Sequence, residues 1–272
     1  MNRIVRLVEK YRDRIPADVR LISESGVYSH RQVQKIQHYA HAFLIGSSLM
    51  GSSDLNNAVR AIIFGENKVC GLTRPQDVKA VYALGGLYGG LIFVEGSPRQ
   101  LSLRQAQELV VNAPLHYVGV FQNQAVDFIE KIAKQLELFA VQLHGNEDED
   151  YINELHQRLA GTIQIWKAVS IDLNAENVAI DDNPQIDRFV LDSKLGNQQG
   201  GTGKAFDWSL IPENIKAKSL LAGGISPGNI GQALQQGCLG VDLNSGVESC
   251  KGVKDFAKLT LVLRRLSRFN LN

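Results

Sequence analysis

Residues 116–143 read HYVGVFQNQAVDFIEKIAKQLELFAVQL and contain one complete strand–helix–strand unit. His116–Phe121 and Phe139–Leu143 are short, largely apolar runs, which is typical of strands buried on both faces of a parallel sheet. Between them, Ala125–Leu136 places apolar residues at helical spacing opposite a polar face. The stretch therefore predicts a parallel βαβ unit of the α/β class.

The same alternation recurs along residues 66–272. Six further apolar runs are predicted strands, each followed by a helical pattern: Lys68–Leu72, Gly89–Val94, Ile163–Ala168, Arg188–Leu191, Ser219–Ala222 and Leu239–Leu243. Eight βα units predict a closed (β/α)8 TIM barrel. A doubly wound open sheet has the same periodicity and stays an alternative, but glycine-rich loops after the sixth, seventh and eighth strands favour the barrel.

Composition places the chain among soluble globular proteins. Of its 272 residues, 44% are hydrophobic and 21% charged, and the formal net charge is +1. A nearly neutral chain argues against binding to nucleic acid or to an anionic membrane through bulk charge. The uncharged run from Ala80 to Val94 is shorter than the roughly 20 residues of a membrane span, and no signal peptide is evident. Cys70, Cys238 and Cys250 form no close pair, which argues against disulfides or a zinc cage and for the cytoplasm.

Residues 1–65 fall outside the barrel count. The predicted elements are two strands, Val19–Ser23 and Ala42–Ile45, and three helices, Asn2–Asp13, Ser29–His41 and Leu55–Phe64. Two parallel strands alone leave their edges and apolar faces uncovered. Residues 1–65 are therefore predicted to be the end of a second, incomplete TIM barrel, and residues 66–272 a complete one.

Two of the predicted strands end in a reactive side chain, at the place where chemistry occurs in such barrels. Cys70 ends the first strand, where a neighbouring cation or helix N-terminus would lower the pKa of its thiol and make it a base or nucleophile. The alternative is that Cys70 is a small buried hydrophobic residue without a chemical role.

Asp192 ends the sixth strand, where desolvation would keep a carboxyl group protonated as a general acid. Capping of a helix or loop is the alternative for Asp192.

Three glycine-rich loops follow the last three predicted strands. They contain Gly201 and Gly203 after the sixth strand, Gly223 and Gly224 after the seventh, and Ser245 and Gly246 after the eighth. Small residues let a loop present successive backbone N–H groups to an anion. Each loop alone is an ordinary turn, but together they converge on one region of a barrel and predict a phosphate site.

Further polar side chains are candidates for the barrel mouth. Arg99 follows the second strand, where its guanidinium would grip a carboxylate bidentately. Asp242 on the eighth strand and His144 after the fourth are predicted to contribute polar contacts. The acidic run Glu147–Asp150 is expected to complement a helix N-terminus and to face water.

The ordered set of these motifs resembles phosphoribosylanthranilate isomerase, a barrel enzyme of tryptophan biosynthesis. The likeness is carried by KVCGLTR (68–74), GGLIFV (89–94) with SPR (97–99), YVGVF (117–121), VQLHG (141–145), LD (191–192), GGTG (200–203) with FDW (206–208), LAGG (221–224) and DLNSGVE (242–248). It covers essentially all of residues 66–272.

The resemblance implies a specific chemistry. Asp192 would protonate the ribose ring oxygen of N-(5-phosphoribosyl)anthranilate as general acid, and Cys70 would remove the C2 proton as general base. This Amadori rearrangement yields 1-(2-carboxyphenylamino)-1-deoxyribulose 5-phosphate without a metal or redox cofactor, because the oxidation and reduction are internal. Arg99 would hold the anthranilate with Asp242 nearby, and the three glycine-rich loops would cradle the phosphate.

Residues 1–65 are similar to the end of indole-3-glycerol-phosphate synthase, through LISESG (21–26) and FLIGSSLM (43–50). In some bacteria that enzyme is fused ahead of the isomerase, and FGENK (64–68) would be the junction. The strands that supply its catalytic lysines are absent, so no synthase activity is expected. The predicted partner is a phosphorylated small molecule; a monomer is expected, and association with a complementary synthase fragment stays open.

Two other functions stay open. The related sugar isomerase of histidine biosynthesis performs a similar rearrangement, but its first strand is expected to end in aspartate where Cys70 stands. The second is a non-catalytic remnant of a fused protein, motivated by the uncovered strand pair Val19–Ser23 and Ala42–Ile45.

Overall fold

The computed structural model describes residues 11, 14–16, 18–195, 198–199 and 206–266. The chain divides into two compact units, one made of Met1–Gly65 with Leu266–Asn272 and one of Glu66–Arg265. Most of the predicted helix Asn2–Asp13 lies outside the described residues.

Between residues 22 and 64, the described part of the N-terminal unit contains two parallel strands and three helices. In chain order they are β1 (Ile22–Glu24), α1 (His30–Ile36), β2 (Ala42–Leu44), α2 (Ser47–Met50) and α3 (Leu55–Phe64). Polar caps begin two of the helices, because the side chains of Ser29 and Asp54 accept hydrogen bonds from backbone N–H groups of the first turn. The strands and helices predicted for residues 19–64 are all present, and α2 was not predicted.

One face of this two-stranded sheet is covered and the other is not. Ser23 is buried, and Phe43 packs on a small apolar core. On the opposite face the side chains of Ile22 and Leu44 are 60% and 57% exposed. The core consists of Val27, Val33, Ile36, Ala40 and Ile62.

The second unit is a closed barrel of eight parallel strands, which confirms the predicted fold class. The strands are β3 (Lys68–Val69), β4 (Tyr88–Ile92), β5 (His116–Phe121), β6 (Ala140–Leu143), β7 (Gln164–Asp172), β8 (Arg188–Leu195), β10 (Ser219–Leu221) and β11 (Gly240–Leu243); β9 (Gln198–Gln199) runs antiparallel to the end of β8. Pairing of β8 with β10, of β10 with β11 and of β11 with β3 closes the ring. Closure excludes the open doubly wound sheet.

Helices alternate with the barrel strands. They are α4 (Pro75–Ala83), α5 (Leu103–Val110), α6 (Val126–Gln135), α7 (Glu149–Arg158), α8 (Glu213–Lys216), α9 (Ile230–Gln235) and α10 (Phe256–Leu266), and a hairpin of β12 (Glu248–Cys250) and β13 (Val253–Lys254) precedes α10. None of the helices described combines the length and apolar character that crossing a bilayer requires.

The prediction of a helix after every strand is wrong at one place. Residues 173–187, between β7 and β8, form turns and irregular backbone instead. The side chains of Asp172 and Asn183 accept hydrogen bonds from the N–H groups of Asn174 and Gln185. Such short-range bonds compete with helix formation.

Side chains close the amino-terminal end of the barrel. Glu66 accepts hydrogen bonds on one carboxylate oxygen from the Tyr88 hydroxyl at 2.9 Å and from the Arg188 guanidinium at 2.8 Å. The Tyr88 ring in turn packs edge-on against the fully buried Trp166 at 5.0 Å between ring centroids. This layer leaves the opposite end, where the strands have their carboxyl termini, as the open mouth.

Candidate active site

Cys70 lies inside the barrel, one residue beyond β3. Its backbone N–H donates to the carbonyl of Leu243 at 2.8 Å and so continues the sheet. The side chain is 5% exposed and packs against Ile92 and Val120. Burial raises the pKa of the Cys70 thiol, and the charge and hydrogen bond of Lys68 offset this only in part. The expectation that a cation lowers this pKa below its ordinary value is therefore wrong, although the cation is present.

That cation, Lys68, is a site residue that the sequence patterns do not single out. Lys68 and Asp242 are partners in the register of β3 and β11, and Lys68 Nζ lies 2.8 Å from Asp242 Oδ2. The Lys68 side chain is 0% exposed. Burial alone would lower the pKa of Lys68, but contact with the Asp242 carboxylate more than reverses this. Strand alternation was the available signal, since Lys68 stands two residues before Cys70 and shares its face.

Asp242 also has an unused acceptor. Its Oδ1 is buried and has no hydrogen-bond partner within the part of the chain that the structure describes. A buried carboxylate oxygen without a donor is costly, so the site is built to receive one. A role for Asp242 at the barrel mouth stays a prediction, for which this acceptor is available.

Asp192 lies on β8, which runs four residues further than the predicted Arg188–Leu191 and pairs with β9 at its end. Burial raises the pKa of the Asp192 carboxyl to about 6; the Ser193 N–H, which donates to Oδ1 at 2.8 Å, opposes this, and the nearby Asp242 charge adds to it. The neighbouring loop makes room for this carboxyl, because a Cβ added at Gly223 would lie 2.9 Å from Asp192 Oδ1. Gly223 also has a φ of +77°. Asp192 therefore has the environment predicted for a general acid.

His144 follows β6 on the same side of the barrel. Its N–H donates to the Phe121 carbonyl at 2.8 Å, and its Nδ1 lies 3.4 Å from the amide nitrogen of Gln142. Burial lowers the pKa of His144, and the charge of Lys68 lowers it further. The imidazole is thus kept neutral near pH 7 and can contribute a polar contact, as predicted.

The acidic run after His144 divides into two roles. Asp148 caps α7, accepting from the Tyr151 N–H at 2.9 Å, as predicted. Glu147 does not face water: its side chain is 1% exposed and lies 2.6 Å from Lys167 Nζ. It also accepts hydrogen bonds from the N–H groups of Asn123 and Gly145, and so it supports the loop that carries His144.

Arg99 is half-buried and already holds a carboxylate of this chain. Its Nε and Nη2 donate to the two carboxylate oxygens of Glu248 at 2.8 and 2.5 Å. The predicted bidentate grip on a substrate therefore has to use the other edge of the guanidinium.

Two of the three predicted anion loops can be described. Within the described part of the chain, the N–H groups of Gly223 and Gly224 have no assigned acceptor. A Cβ added at Gly246 would lie 2.0 Å from the Ile225 carbonyl oxygen, so the loops after β10 and β11 are in contact. The loops after β10 and β11 therefore lie side by side, and the prediction that they bind an anion stays a prediction. Gly201 and Gly203 lie outside the described residues.

Comparison with known proteins identifies the family of this barrel. Residues 67–265 match the family model of N-(5'-phosphoribosyl)anthranilate isomerase. The chain belongs to that family. The resemblance seen in the sequence motifs is thereby confirmed. Residues 1–62 match the family model of indole-3-glycerol phosphate synthase.

Individual relatives agree with this assignment. The tryptophan biosynthesis protein TrpCF of Haemophilus influenzae is 64% identical over 267 residues, which are 98% of this chain and 56% of that protein. The chain thus spans little more than half the length of this relative. Phosphoribosylanthranilate isomerase from Thermus thermophilus is similar in structure, with a TM-score of 0.64 and 28% identity over 74% of this chain and 98% of that one. A further isomerase structure, solved with reduced 1-(o-carboxyphenylamino)-1-deoxyribulose 5-phosphate, has a TM-score of 0.60 and 26% identity over 74% and 98%.

The Lys68 charge is expected to act on the Cys70 thiol. In a Cys238→Ser/Cys250→Ser background, Lys68→Met should raise the apparent pKa of Cys70 by about one unit or more, because an opposing cation is removed. The ultraviolet absorbance of the thiolate, followed during a pH titration, measures this change. Lys131→Met, on the exposed face of α6, is the matched control. An unchanged titration in Lys68→Met would contradict the assignment.

Proposed function

We propose that the barrel converts N-(5-phosphoribosyl)anthranilate into 1-(2-carboxyphenylamino)-1-deoxyribulose 5-phosphate. The observation that carries this proposal is the pairing, in one mouth, of a carboxyl group of raised pKa at Asp192 with a thiol at Cys70. Lys68 and Asp242 act electrostatically on both groups, which supports a shared site for all four side chains. An acid and a base on one substrate are what an Amadori rearrangement requires.

Asp192 acts in the first step as general acid. Its proton goes to the ring oxygen of the ribose, the bond between C1 and that oxygen breaks, and the anthranilate nitrogen supplies its electron pair to form a protonated Schiff base at C1. A carboxyl group with a pKa of about 6 is partly protonated at neutral pH and still a good donor.

Cys70 acts in the second step as general base. Its thiolate takes the proton from C2, and the electron pair moves toward the iminium carbon to give an enolamine. Tautomerisation then places a hydrogen on C1 and a carbonyl at C2. C1 is reduced and C2 oxidised within one molecule, so the chemistry needs no external oxidant or reductant.

The remaining site residues bind the two ends of the substrate. The loops with Gly223, Gly224, Ser245 and Gly246 supply backbone N–H groups for the phosphate, joined by the loop of Gly201 and Gly203. Arg99, Asp242 and His144 receive the anthranilate end. The isomerase solved with the reduced product carries both a carboxyphenyl group and a phosphate on its ligand, which supports this division.

For the N-terminal unit we infer no synthase reaction in this chain. Its described residues supply two parallel strands, and a barrel enzyme of this type draws its catalytic groups from several strand ends. The exposed Ile22 and Leu44 face of that sheet is where the complementary strands of a synthase barrel would pack. This chain is expected to form no indole-3-glycerol phosphate in an absorbance assay, and measurable ring closure would overturn this inference.

Removing either proton-transferring group should abolish most turnover. Loss of phosphoribosylanthranilate fluorescence measures the rate for the wild type, Cys70→Ala and Asp192→Asn. Each variant is expected to lose about 100- to 10,000-fold in kcat, the usual contribution of a general acid or base. Cys238→Ala is the matched control and should stay within about twofold. Full activity in either variant would overturn the mechanism, and an inactive wild type would overturn the function.

The pH profile should carry the signature of Asp192. The active form needs a protonated Asp192 and a Cys70 thiolate, so kcat/KM should rise with pH up to about 6, where Asp192 begins to lose its proton. Above that pH the loss of acid and the gain of base cancel, and kcat/KM should stay level until the thiol, whose pKa burial raises, is titrated. In Asp192→Asn the break near 6 should vanish from the residual activity. If the break near pH 6 persists in Asp192→Asn, it belongs to the titration of another group.

A further inference from the structure

The guanidinium of Arg99 is held along one edge by a carboxylate from a distant part of the chain. Nε and Nη2 of Arg99 each donate to a separate oxygen of Glu248, at 2.8 and 2.5 Å. The two side chains are 12% and 4% exposed. Two parallel charge-assisted bonds of this kind fix the plane of the guanidinium as well as its position.

Glu248 is itself held on three sides. It is paired with Lys254 in the register of β12 and β13, and Oε1 accepts from Lys254 Nζ at 2.9 Å and from the Gly252 N–H at 3.3 Å. Lys254 is 0% exposed at its side chain and also donates to Asn244 Oδ1 at 3.1 Å. Burial opposes ionisation, but the hydrogen bonds from Arg99 and the charge of Lys254 keep the pKa of Glu248 below its usual range. Glu248 is therefore an ionised and immobile anchor.

The held arginine lies directly beside the proposed base. A Cβ added at Gly71, the residue after Cys70, would lie 2.5 Å from Arg99 Cδ and 3.0 Å from Asn244 Oδ1. Gly71 also has a φ of +70°. The aliphatic part of Arg99 thus crosses the backbone next to Cys70, and only glycine leaves room for it there.

We propose that Glu248 is a positioning residue that presents the end-on edge of Arg99, formed by Nη1 and the second hydrogen of Nη2, to the carboxylate of the anthranilate ring. The proposal rests on the proposed isomerase function. The edge formed by Nε and Nη2 is used by Glu248, and the described residues place no acceptor on Nη1. Because Glu248 orders Arg99 before the substrate arrives, binding avoids the entropy of fixing a long side chain.

A double-mutant cycle tests whether Glu248 acts through Arg99. The dissociation constant of reduced 1-(o-carboxyphenylamino)-1-deoxyribulose 5-phosphate is measured for the wild type, Glu248→Gln, Arg99→Met and the double variant. Arg99→Met should weaken binding about 100-fold and Glu248→Gln about tenfold, while the double variant should be no weaker than Arg99→Met alone. In turnover, Glu248→Gln should raise KM and leave kcat nearly unchanged, since it touches neither proton transfer.

The matched control is Glu108→Gln. Glu108 pairs with Arg104 on the exposed surface of α5, so the same change should leave binding unaltered. Two results would overturn the role of Glu248 while the enzyme still turns over. One is a double variant whose loss of affinity equals the product of the two single losses, and the other is unaltered affinity in Glu248→Gln. A wild type that neither binds the analogue nor turns over would overturn the proposed function together with this inference.

A second measurement does not depend on whether Glu248→Gln folds. In the wild type, the Arg99 Nε–H, assigned by its loss in Arg99→Lys, should exchange slowly with solvent before and after the analogue binds. Slow exchange in both states means that Glu248 stays bound to the Nε and Nη2 edge of Arg99 while the ligand binds the end-on edge. Fast exchange in the free protein, or loss of protection on binding, would overturn the proposal.

Discussion

The buried ion pair between Lys68 and Asp242 fixes the charge at the centre of the barrel mouth. Removing either ion from water costs several kcal/mol, and the 2.8 Å contact offsets this only while both partners are present. Lys68 is on the first barrel strand and Asp242 on the last, so the pair lies at the seam that closes the ring. Barrel closure and the electrostatics of the site therefore depend on the same contact.

The positions of Lys68 and Asp242 determine how the pair affects the protonation of each neighbouring side chain. Lys68 favours the thiolate of Cys70 and the neutral form of His144, whereas Asp242 opposes ionisation of Asp192. One dipole-like pair thus pushes an acid toward its protonated form and a thiol toward its deprotonated form. The separation of roles between the two titratable groups therefore follows from their environments, in which burial raises both pKa values and the charges of Lys68 and Asp242 act in addition.

Much of the fold, and several of the candidate site residues, could be predicted from the sequence because they depend on local patterns. Continuously apolar strands at regular intervals predict a buried parallel sheet, and the ends of those strands identify Cys70, Asp192 and Asp242 as candidates. The missing helix at 173–187 was mispredicted because spacing was extrapolated through a segment whose Asp172 and Asn183 side chains form turns. Lys68 was passed over because a single lysine inside an apolar run has no partner until the barrel closes.

The contacts that could not be predicted are the long-range ones. Arg99 and Glu248 are separated by 149 residues, and Lys68 and Asp242 by 174. Spacing in the sequence carries no information on such pairs, so it could not indicate that Glu248 occupies one edge of the Arg99 guanidinium. The same limitation applies to the Cys70 thiol, since the balance between burial and a nearby cation depends on packing that only the folded chain defines.

The balance of charge around Cys70 suits a base that ionises only during the reaction. Among the groups that act on its thiol, Lys68 and Lys254 are cations and Asp242 is a carboxylate. Arg99 also acts on this thiol, and Arg99 and Lys254 share Glu248 as their partner. With the thiol protonated these groups together carry an excess of one positive charge, and with the thiolate they are neutral. Because Lys68 is fully buried beside Cys70, its charge favours the thiolate at the place where proton removal from C2 needs it.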